Sequence, residues 1–404
     1  MAIRNPYPER GGNYFRLLTG ADSFLPAMEL AIHRAREYVL FEQYLISSGN
    51  VADRFIDAFT ACLQRGVPVY MLIDHFGARG LSTADRQRIQ AAGIELLFYN
   101  PAYLSHFFRG LPRNHCKVLL IDGELAYSGG AGITDDYETE GSTPAWHDLI
   151  VEMRGPVVTD WQSQFFNVWQ HWIDKSSPAE IKPPQVKAVE KDAGNPGEQR
   201  GTLSLSLRGR RKFIRLSLLA QVHSASERVW LGTAYYLPGH RMLQALRAAK
   251  KRGVDVRLLL PGKINDHPAV YHAGRRYYHN LMRHGIRIFE YQPAFMHAKL
   301  YLCDNWCSIG SCNMDRWGLR WNLEANLESG DDALCSEAES FFNEAFEHSR
   351  EITLERWLQR PIKNRFREWL FGYLDLMIER FGVNWSLRKS ADNEPHLPKD
   401  SSDH

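Results

Sequence analysis

The chain is expected to be an α/β protein built from two pseudo-symmetric halves, each a mixed, largely parallel sheet flanked by helices. Three observations lead there. Helical and strand-like apolar periods alternate along the chain, which is the pattern of strand–helix units. The same series of elements occurs twice. Each series closes on the same polar signature, a histidine, a lysine two residues on and an aspartate five residues further, set in an otherwise apolar strand.

The elements can be justified in order. In "FLPAMELAIHRAREYVLFEQYLI", Leu25, Met28 and Ile32 recur at helical spacing before a β-rich run from Tyr38 to Ile46. In "VADRFIDAFTACLQRGVPVYMLID", Phe55, Ala58, Phe59 and Leu63 form one helical face. Gly66 stops the helix, and Val67–Ile73 reads as a buried strand. "DRQRIQAAGIELLFYNP" supplies a third helix and strand. The second half repeats the series with "SLLAQVHSASERVWLGTAYYLP", "LQALRAAKKRGVDVRLLLP" and "LMRHGIRIFEYQP".

The signatures follow. "NHCKVLLIDG" contains His115, Lys117 and Asp122, and "MHAKLYLCDN" contains His297, Lys299 and Asp304. Residues two apart on a strand point to the same face, so each histidine projects with its lysine. Burying such a pair in a sheet protein is costly unless something uses it. Two histidines and two lysines converging on one pocket suit phosphodiester chemistry. The lysines neutralise phosphate oxygens, one histidine attacks phosphorus, and the other handles the proton of the alcohol. No metal is called for, because the lysines bring the charge. A single such pair on a strand is commonly a chance match, but two at equivalent places in two repeats break the local rule twice in the same way.

Organisation follows from the repeat: residues 1–173 form the first half and 206–352 the second. The Pro-, Lys- and Glu-rich stretch 174–205 is expected to be a linker or mobile loop. Residues 353–382 form a C-terminal amphipathic helical segment, and 383–404 a disordered tail.

Bulk properties narrow the function classes. A chain of 404 residues with 44% hydrophobic residues fills sizeable cores, and a net charge of +2 does not support indiscriminate nucleic-acid binding. The six cysteines fit buried thiols of a reducing compartment better than a disulfide framework. Cys303, Cys307 and Cys312 cluster but lack zinc-ligand spacing. The N-terminus has no apolar signal-like run and no stretch is long enough to span a bilayer, so the chain reads as cytoplasmic, with no signal peptide.

The paired signatures resemble the HKD motifs of the phospholipase D superfamily. The second copy is the fuller match, with Gly310, Ser311, Asn313 and Asp315 after the motif and Glu324 beyond. The first continues through Gly129 and Gly130 to Asp148 in "WHDLIVEMRGP". The resemblance implies that His115, Lys117, Asp122, His297, Lys299 and Asp304 form the catalytic set. It implies that Ser311 and Asn313 contact phosphate, and that Asp148 and Glu324, in the first and second copies, orient the histidines. Asp122 and Asp304 are expected to brace strand ends rather than touch substrate. Gly132 stands where the family usually has the asparagine matching Asn313.

From about residue 12 to about residue 382 the chain is most similar to bacterial cardiolipin synthases of the short type without N-terminal spans. That implies phosphatidyl transfer between two phosphatidylglycerol molecules through a phosphohistidine, with glycerol released and no cofactor. Family analogy points to His115 as the nucleophile. The alternatives are a phospholipase D-type phosphodiesterase hydrolysing phospholipid or nucleic acid, and a catalytically dead scaffold.

The expected partners are phosphatidylglycerol and the membrane surface on the cytoplasmic side of the bacterial inner membrane, with no obligate nucleic acid. In residues 360–381, Ile362, Phe366, Trp369, Leu370, Tyr373 and Met377 share a helical face beside Arg360, Lys363, Arg365 and Arg367. That pattern suits a helix lying among lipid headgroups, with Phe366, Trp369, Leu370 and Tyr373 touching the membrane, or one packed on the protein itself. A second candidate headgroup surface is the stripe His272, Arg276, His279 and Arg283, expected on one helical face, although such stripes commonly serve solubility.

Overall fold

The computed structural model describes residues 5–101, 112–176, 196–206, 212–316, 318–363 and 365–373. The first half runs β1 (Arg10–Thr19), α1 (Ala21–Arg34), β2 (Val39–Gln43), α2 (Asn50–Gln64), β3 (Val69–Asp74), α3 (Thr83–Ala91), β4 (Glu95–Tyr99), β5 (Val118–Ile121), β6 (Leu125–Gly129), β7 (Leu149–Arg154) and α4 (Val157–Ser176). The second runs β8 (Gln199–Ser206), α5 (Phe213–Ser224), β9 (Arg228–Gly232), β10 (Tyr236–Leu237), α6 (His240–Lys251), β11 (Asp255–Pro261), α7 (Pro268–Arg275), α8 (Tyr278–Arg283) and β12 (Arg287–Tyr291). It continues through β13 (Leu300–Cys303), β14 (Trp306–Gly310), β15 (Met314–Asp315), α9 (Gly318–Trp321), β16 (Glu324–Ser329), α10 (Asp332–Glu347), β17 (Ser349–Glu351) and α11 (Leu354–Leu358).

Both halves share one 15-stranded sheet, ordered β17-β12-β11-β9-β13-β14-β16-β8-β1-β7-β6-β5-β2-β3-β4. Read outward from the central antiparallel pair β1 and β8, the two sides carry equivalent strands in the same order, with β17 as an additional edge strand beyond β12, so the duplication is visible as a pseudo-twofold. The sheet is mixed as expected, but antiparallel pairings predominate. Only β2-β3-β4 and β9-β11-β12 are parallel. Helical crossovers impose those parallel pairs, whereas the tight turns linking β5 to β6 and β13 to β14 return the chain beside itself. The stretch expected as linker 174–205 is also shorter than expected. Its first residues end α4, its last belong to β8, and residues 177–195 lie outside the described residues.

One face of the sheet is covered by α4 and α10 over a core common to both halves, including Phe15, Trp161, Trp169, Leu327 and Phe342. The other face carries a separate core in each half, one under α1, α2 and α3, the other under α5, α6 and α8. All six cysteines are buried free thiols. Among the described residues no helix is long and apolar enough to cross a membrane.

Candidate active site

The two signatures reach the centre of the molecule from opposite sides. Each histidine and lysine lies in an extended segment just before the strand, not on it as expected: β5 begins at Val118 and β13 at Leu300. The backbone there pairs with the other half. His115 N–H donates to the Leu323 carbonyl at 2.9 Å, and His297 N–H donates to the His147 carbonyl at 2.8 Å. Leu323 and His147 immediately precede Glu324 and Asp148, so these exchanged bonds carry each carboxylate to the opposite histidine.

His115 Nδ1 lies 2.9 Å from Glu324 Oε2, and His297 Nδ1 lies 2.8 Å from Asp148 Oδ2. Glu324 therefore serves the histidine of the first copy and Asp148 that of the second, so each acid orients across the repeat rather than within its own copy. Both pairs are buried. Carboxylates at Nδ1 leave Nε2 of each ring for chemistry. Ser311 does not line the cavity. Its hydroxyl donates to Glu324 Oε2 at 2.6 Å and its carbonyl lies 3.1 Å from His115 Nδ1, so it braces the pair from behind.

On the other side Gly130 stands opposite Ser311, and a Cβ there would come within 2.5 Å of Asp148 Oδ1. The hydroxyl comes instead from Tyr137, which donates to Asp148 Oδ2 at 2.9 Å and lies 3.0 Å from His297 Nδ1. Sequence reasoning missed Tyr137 because it sits in the polar stretch "TDDYETEG", which carries no periodic signal. Gly132 has no room for the family asparagine: a Cβ would meet the Leu45 Cβ and carbonyl oxygen at 2.9 Å. Its counterpart Asn313 lines the cavity, its carboxamide oxygen accepting from Thr233 and from the Tyr235 N–H.

Lys117 and Lys299 are buried, each ammonium donating to the carbonyl of the histidine two residues before it. Burial lowers Lys117 to about 7, with Lys299 adding repulsion, and burial lowers Lys299 to about 8. Burial and then Lys299 push His297 down to about 4, and burial lowers His115 as well. Burial alone would raise the Asp148 carboxyl, but Lys299 and His297 hold it at about 2, so it remains ionised. Burial and mutual repulsion therefore both act against the positive charge on these groups.

That cavity has a volume of about 540 Å³ and is lined by His115, Lys117, His297 and Asn313 together with Tyr44, Phe76, Trp146, Tyr235 and Asp266. Among the described residues no group of three or more His, Cys, Asp or Glu side chains is arranged to hold a metal ion.

Asp122 and Asp304 lie away from the cavity lining. Each takes a left-handed turn, at φ 55° and 46°, and its carboxylate accepts three backbone N–H groups: Arg36, Glu37 and Tyr38 for Asp122, and Ser226, Glu227 and Arg228 for Asp304. These residues lead into β2 and β9, so the motif aspartates brace the hairpin turns against the strand starts.

The C-terminal helix, residues 365–373, docks through its polar side. Glu368 is buried against Arg360 at 3.0 Å and Arg275 at 3.4 Å, and Arg276 donates to the Gly372 carbonyl. Ile362, Phe366, Trp369 and Tyr373 are left exposed, Leu370 is half-buried, and the expected residues beyond 373 lie outside the described residues. The stripe is broken, with His272 on α7, Arg276 at the junction, and His279 and Arg283 on α8. His272 stacks on Phe371, so part of it serves to hold this helix.

Two half-sites exchange histidine and carboxylate across a pseudo-twofold, each with its own buried lysine, and the fold and site together define a duplicated enzyme. The chain belongs to the phospholipase D superfamily, matching the family described as cardiolipin synthase, PLD-like domain, over residues 28–169 and 218–346. It is 32% identical over 355 residues to cardiolipin synthase A of Pseudomonas aeruginosa strain LESB58, spanning 86% of this chain and 70% of that one. Cardiolipin synthase A of Pseudomonas putida strain F1 is equally similar, at 32%, with 86% and 71% covered. Among solved structures, phosphatidylserine synthase of Haemophilus influenzae superposes with a TM-score of 0.68 at 13% identity, covering 93% of this chain and 94% of that one. Polyphosphate kinase of Porphyromonas gingivalis superposes with a TM-score of 0.55 at 14% identity, covering 85% and 49%. At such identities the structures speak to the fold.

Proposed function

We propose that the protein is a phosphatidyltransferase that makes cardiolipin from two phosphatidylglycerol molecules, releasing glycerol. The observation that carries this reading is the meeting of His115, Lys117 and His297 in one cavity, with Lys299 buried behind His297 and each histidine backed by a carboxylate from the other half. Lys117 and Lys299 hold the phosphate and compensate the charge that grows on its oxygens, without a metal. One histidine, His115 by family analogy, forms a bond to phosphorus. The other gives a proton to the departing glycerol and later takes one from the incoming hydroxyl. Similarity to two cardiolipin synthases over most of the chain supports the lipid substrate.

The exposed aromatic row Phe366, Trp369 and Tyr373 would lie in the headgroup region of the membrane, held to the enzyme by its polar side. The helix rests on α7, and His267 and Val270 at the start of α7 line the cavity, so a bilayer touching this row lies next to the site. We place this contact on the cytoplasmic side of the inner membrane.

The test incubates purified protein with phosphatidylglycerol vesicles and chelator, beside His115→Ala and His297→Ala, with products read by mass spectrometry. Cardiolipin and glycerol, absent from both variants, are expected. Phosphatidic acid alone, or cleavage of single-stranded DNA without a lipid product, would overturn the synthase reading.

A further inference from the structure

The repeat places equivalent elements on both sides of the cavity, but the loops that close it have diverged. After β3 the loop presents Phe76, with the Arg79 guanidinium 4.1 Å and that of Arg113 5.7 Å from its ring centroid. After β11 it presents Asp266, whose carboxylate accepts from the Tyr235 hydroxyl at 2.5 Å and lies 3.6 Å from His267 Nε2. The Asp266 side chain keeps 22% of its surface exposed and lines the cavity beside Tyr235, whose ring stands edge-on 6.3 Å from His297. One wall is thus aromatic, with the arginines behind Phe76 and Arg113 paired to Asp74, and the wall beside His297 carries a carboxylate.

A carboxylate is a poor neighbour for a second anion, since like charges at short range repel strongly in a partly desolvated cavity. It is a strong acceptor for uncharged hydroxyl donors. An ammonium group at the same place would be repelled by Lys299, whose charged form Asp266 already favours. We propose that Asp266, held in place by Tyr235, is the seat for the vicinal hydroxyls of a polyol alcohol, the glycerol headgroup, beside His297.

The inference rests on the phosphatidyl-transfer reading and deepens it. In the first step the bond from phosphorus to the glycerol oxygen breaks as the bond to one histidine nitrogen forms, and the second histidine protonates the departing oxygen. In the second step an acceptor hydroxyl gives its proton to that same histidine and bonds phosphorus as the nitrogen–phosphorus bond breaks. The departing alcohol is glycerol and the attacking one is the glycerol headgroup of the second lipid, so the hydroxyl-bearing end of each can take the same seat, with the second lipid's phosphate held away from Asp266. A seat beside His297 makes that histidine the proton carrier and accords with His115 as the nucleophile.

The experiment measures how the phosphorylated enzyme partitions. Wild-type protein, Asp266→Asn and Tyr235→Phe are given phosphatidylglycerol in detergent micelles with deuterated glycerol, ethanol or ethanolamine. The ratio of transfer product to phosphatidic acid is read for each acceptor. A hydrogen bond to a charged group is commonly worth about 1.5–3 kcal/mol. Asp266→Asn should therefore lower the glycerol ratio about tenfold or more while the ethanol ratio moves less than about twofold, with Tyr235→Phe acting in the same direction. An unchanged glycerol ratio, an equal fall for ethanol, or a larger fall for ethanolamine than for glycerol would overturn the seat. Wild-type protein that forms neither a transfer product nor phosphatidic acid would overturn the transfer reading along with it.

Discussion

Glu324 and His115 are 209 residues apart in the chain and 2.9 Å apart in space, and Asp148 and His297 mirror them at 2.8 Å. Neither half contains a complete histidine–carboxylate pair, so the site exists only where the halves are joined. The bonds that join the halves at the site are the exchanged backbone pairs of His115 with Leu323 and of His297 with His147, while β1 and β8 pair elsewhere in the sheet.

Glu324→Gln and Asp148→Asn should each lower kcat by roughly 10²-fold or more, since a carboxylate that fixes the imidazole tautomer supports both proton transfer and attack. Rapid-quench detection of the phosphohistidine separates their effects. Glu324→Gln should slow its formation if His115 is the nucleophile. A variant retaining more than about a tenth of wild-type turnover would refute the orienting role of its carboxylate.

The pH profile follows from the lysines. Burial lowers Lys117 to about 7 and Lys299 to about 8, and in the proposed mechanism their charge holds the phosphate. Accordingly kcat/KM should fall as pH rises through that range. The alkaline limb of kcat should lie higher, because bound phosphate favours the protonated lysines. Stability should move the other way. A lysine whose folded pKa is depressed penalises folding most below that pKa, and the penalty fades as pH climbs toward the unfolded value. Melting temperatures from pH 6 to 9 with and without phosphate check both signs: phosphate should stabilise most at the acid end.

Much of this was legible in the sequence because it repeats. Helix–strand periods pointed to the fold class, and the doubled His-x-Lys to the two histidines that meet at the cavity. Three features were not legible. The predominance of antiparallel pairs depends on turns such as Asp122–Gly123, which a count of helix–strand alternations does not register. The crossing of Glu324 to His115 is a tertiary exchange that leaves no trace in spacing. Tyr137 replaces a missing serine hydroxyl from a different loop, so comparing the two copies position by position finds only Gly130.

The motif aspartates should behave as structural residues. The Asp304 carboxyl, although partial burial opposes it, is held below its ordinary value by the N–H groups of Arg228, Ser226 and Glu227. Its contribution is present above the unfolded carboxylate pKa and is lost as pH falls through the lower folded value. Asp304→Ala should cost about 1–3 kcal/mol in urea unfolding, and less at pH 3 than at pH 7. Turnover of the folded fraction should stay within about threefold of wild type.

Gly132→Asn restores the family residue and should harm the protein. Leu45 occupies the space at 2.9 Å with its Cβ and its carbonyl, so the side chain must displace a loop beside the cavity. Overpacking of this kind typically costs about 1–3 kcal/mol. A variant equal to wild type in melting temperature and faster in turnover would show that an asparagine fits here after all.

The exposed row on the C-terminal helix should matter only when the substrate is a surface. A side chain whose polar neighbours Glu368 and Arg276 are already committed to the protein gains nothing from water at Phe366 and Trp369. Moving such an aromatic into an apolar phase is worth about 1.5–3 kcal/mol when it is complete. Phe366→Glu combined with Trp369→Glu should therefore weaken sedimentation with anionic vesicles about tenfold or more, and lower activity on vesicles in proportion. Activity on a short-chain phosphatidylglycerol below its micelle concentration should persist, because neither residue reaches the cavity. Equal loss on both substrates would mean that the row packs against part of the enzyme, and unchanged vesicle binding would place the membrane contact elsewhere.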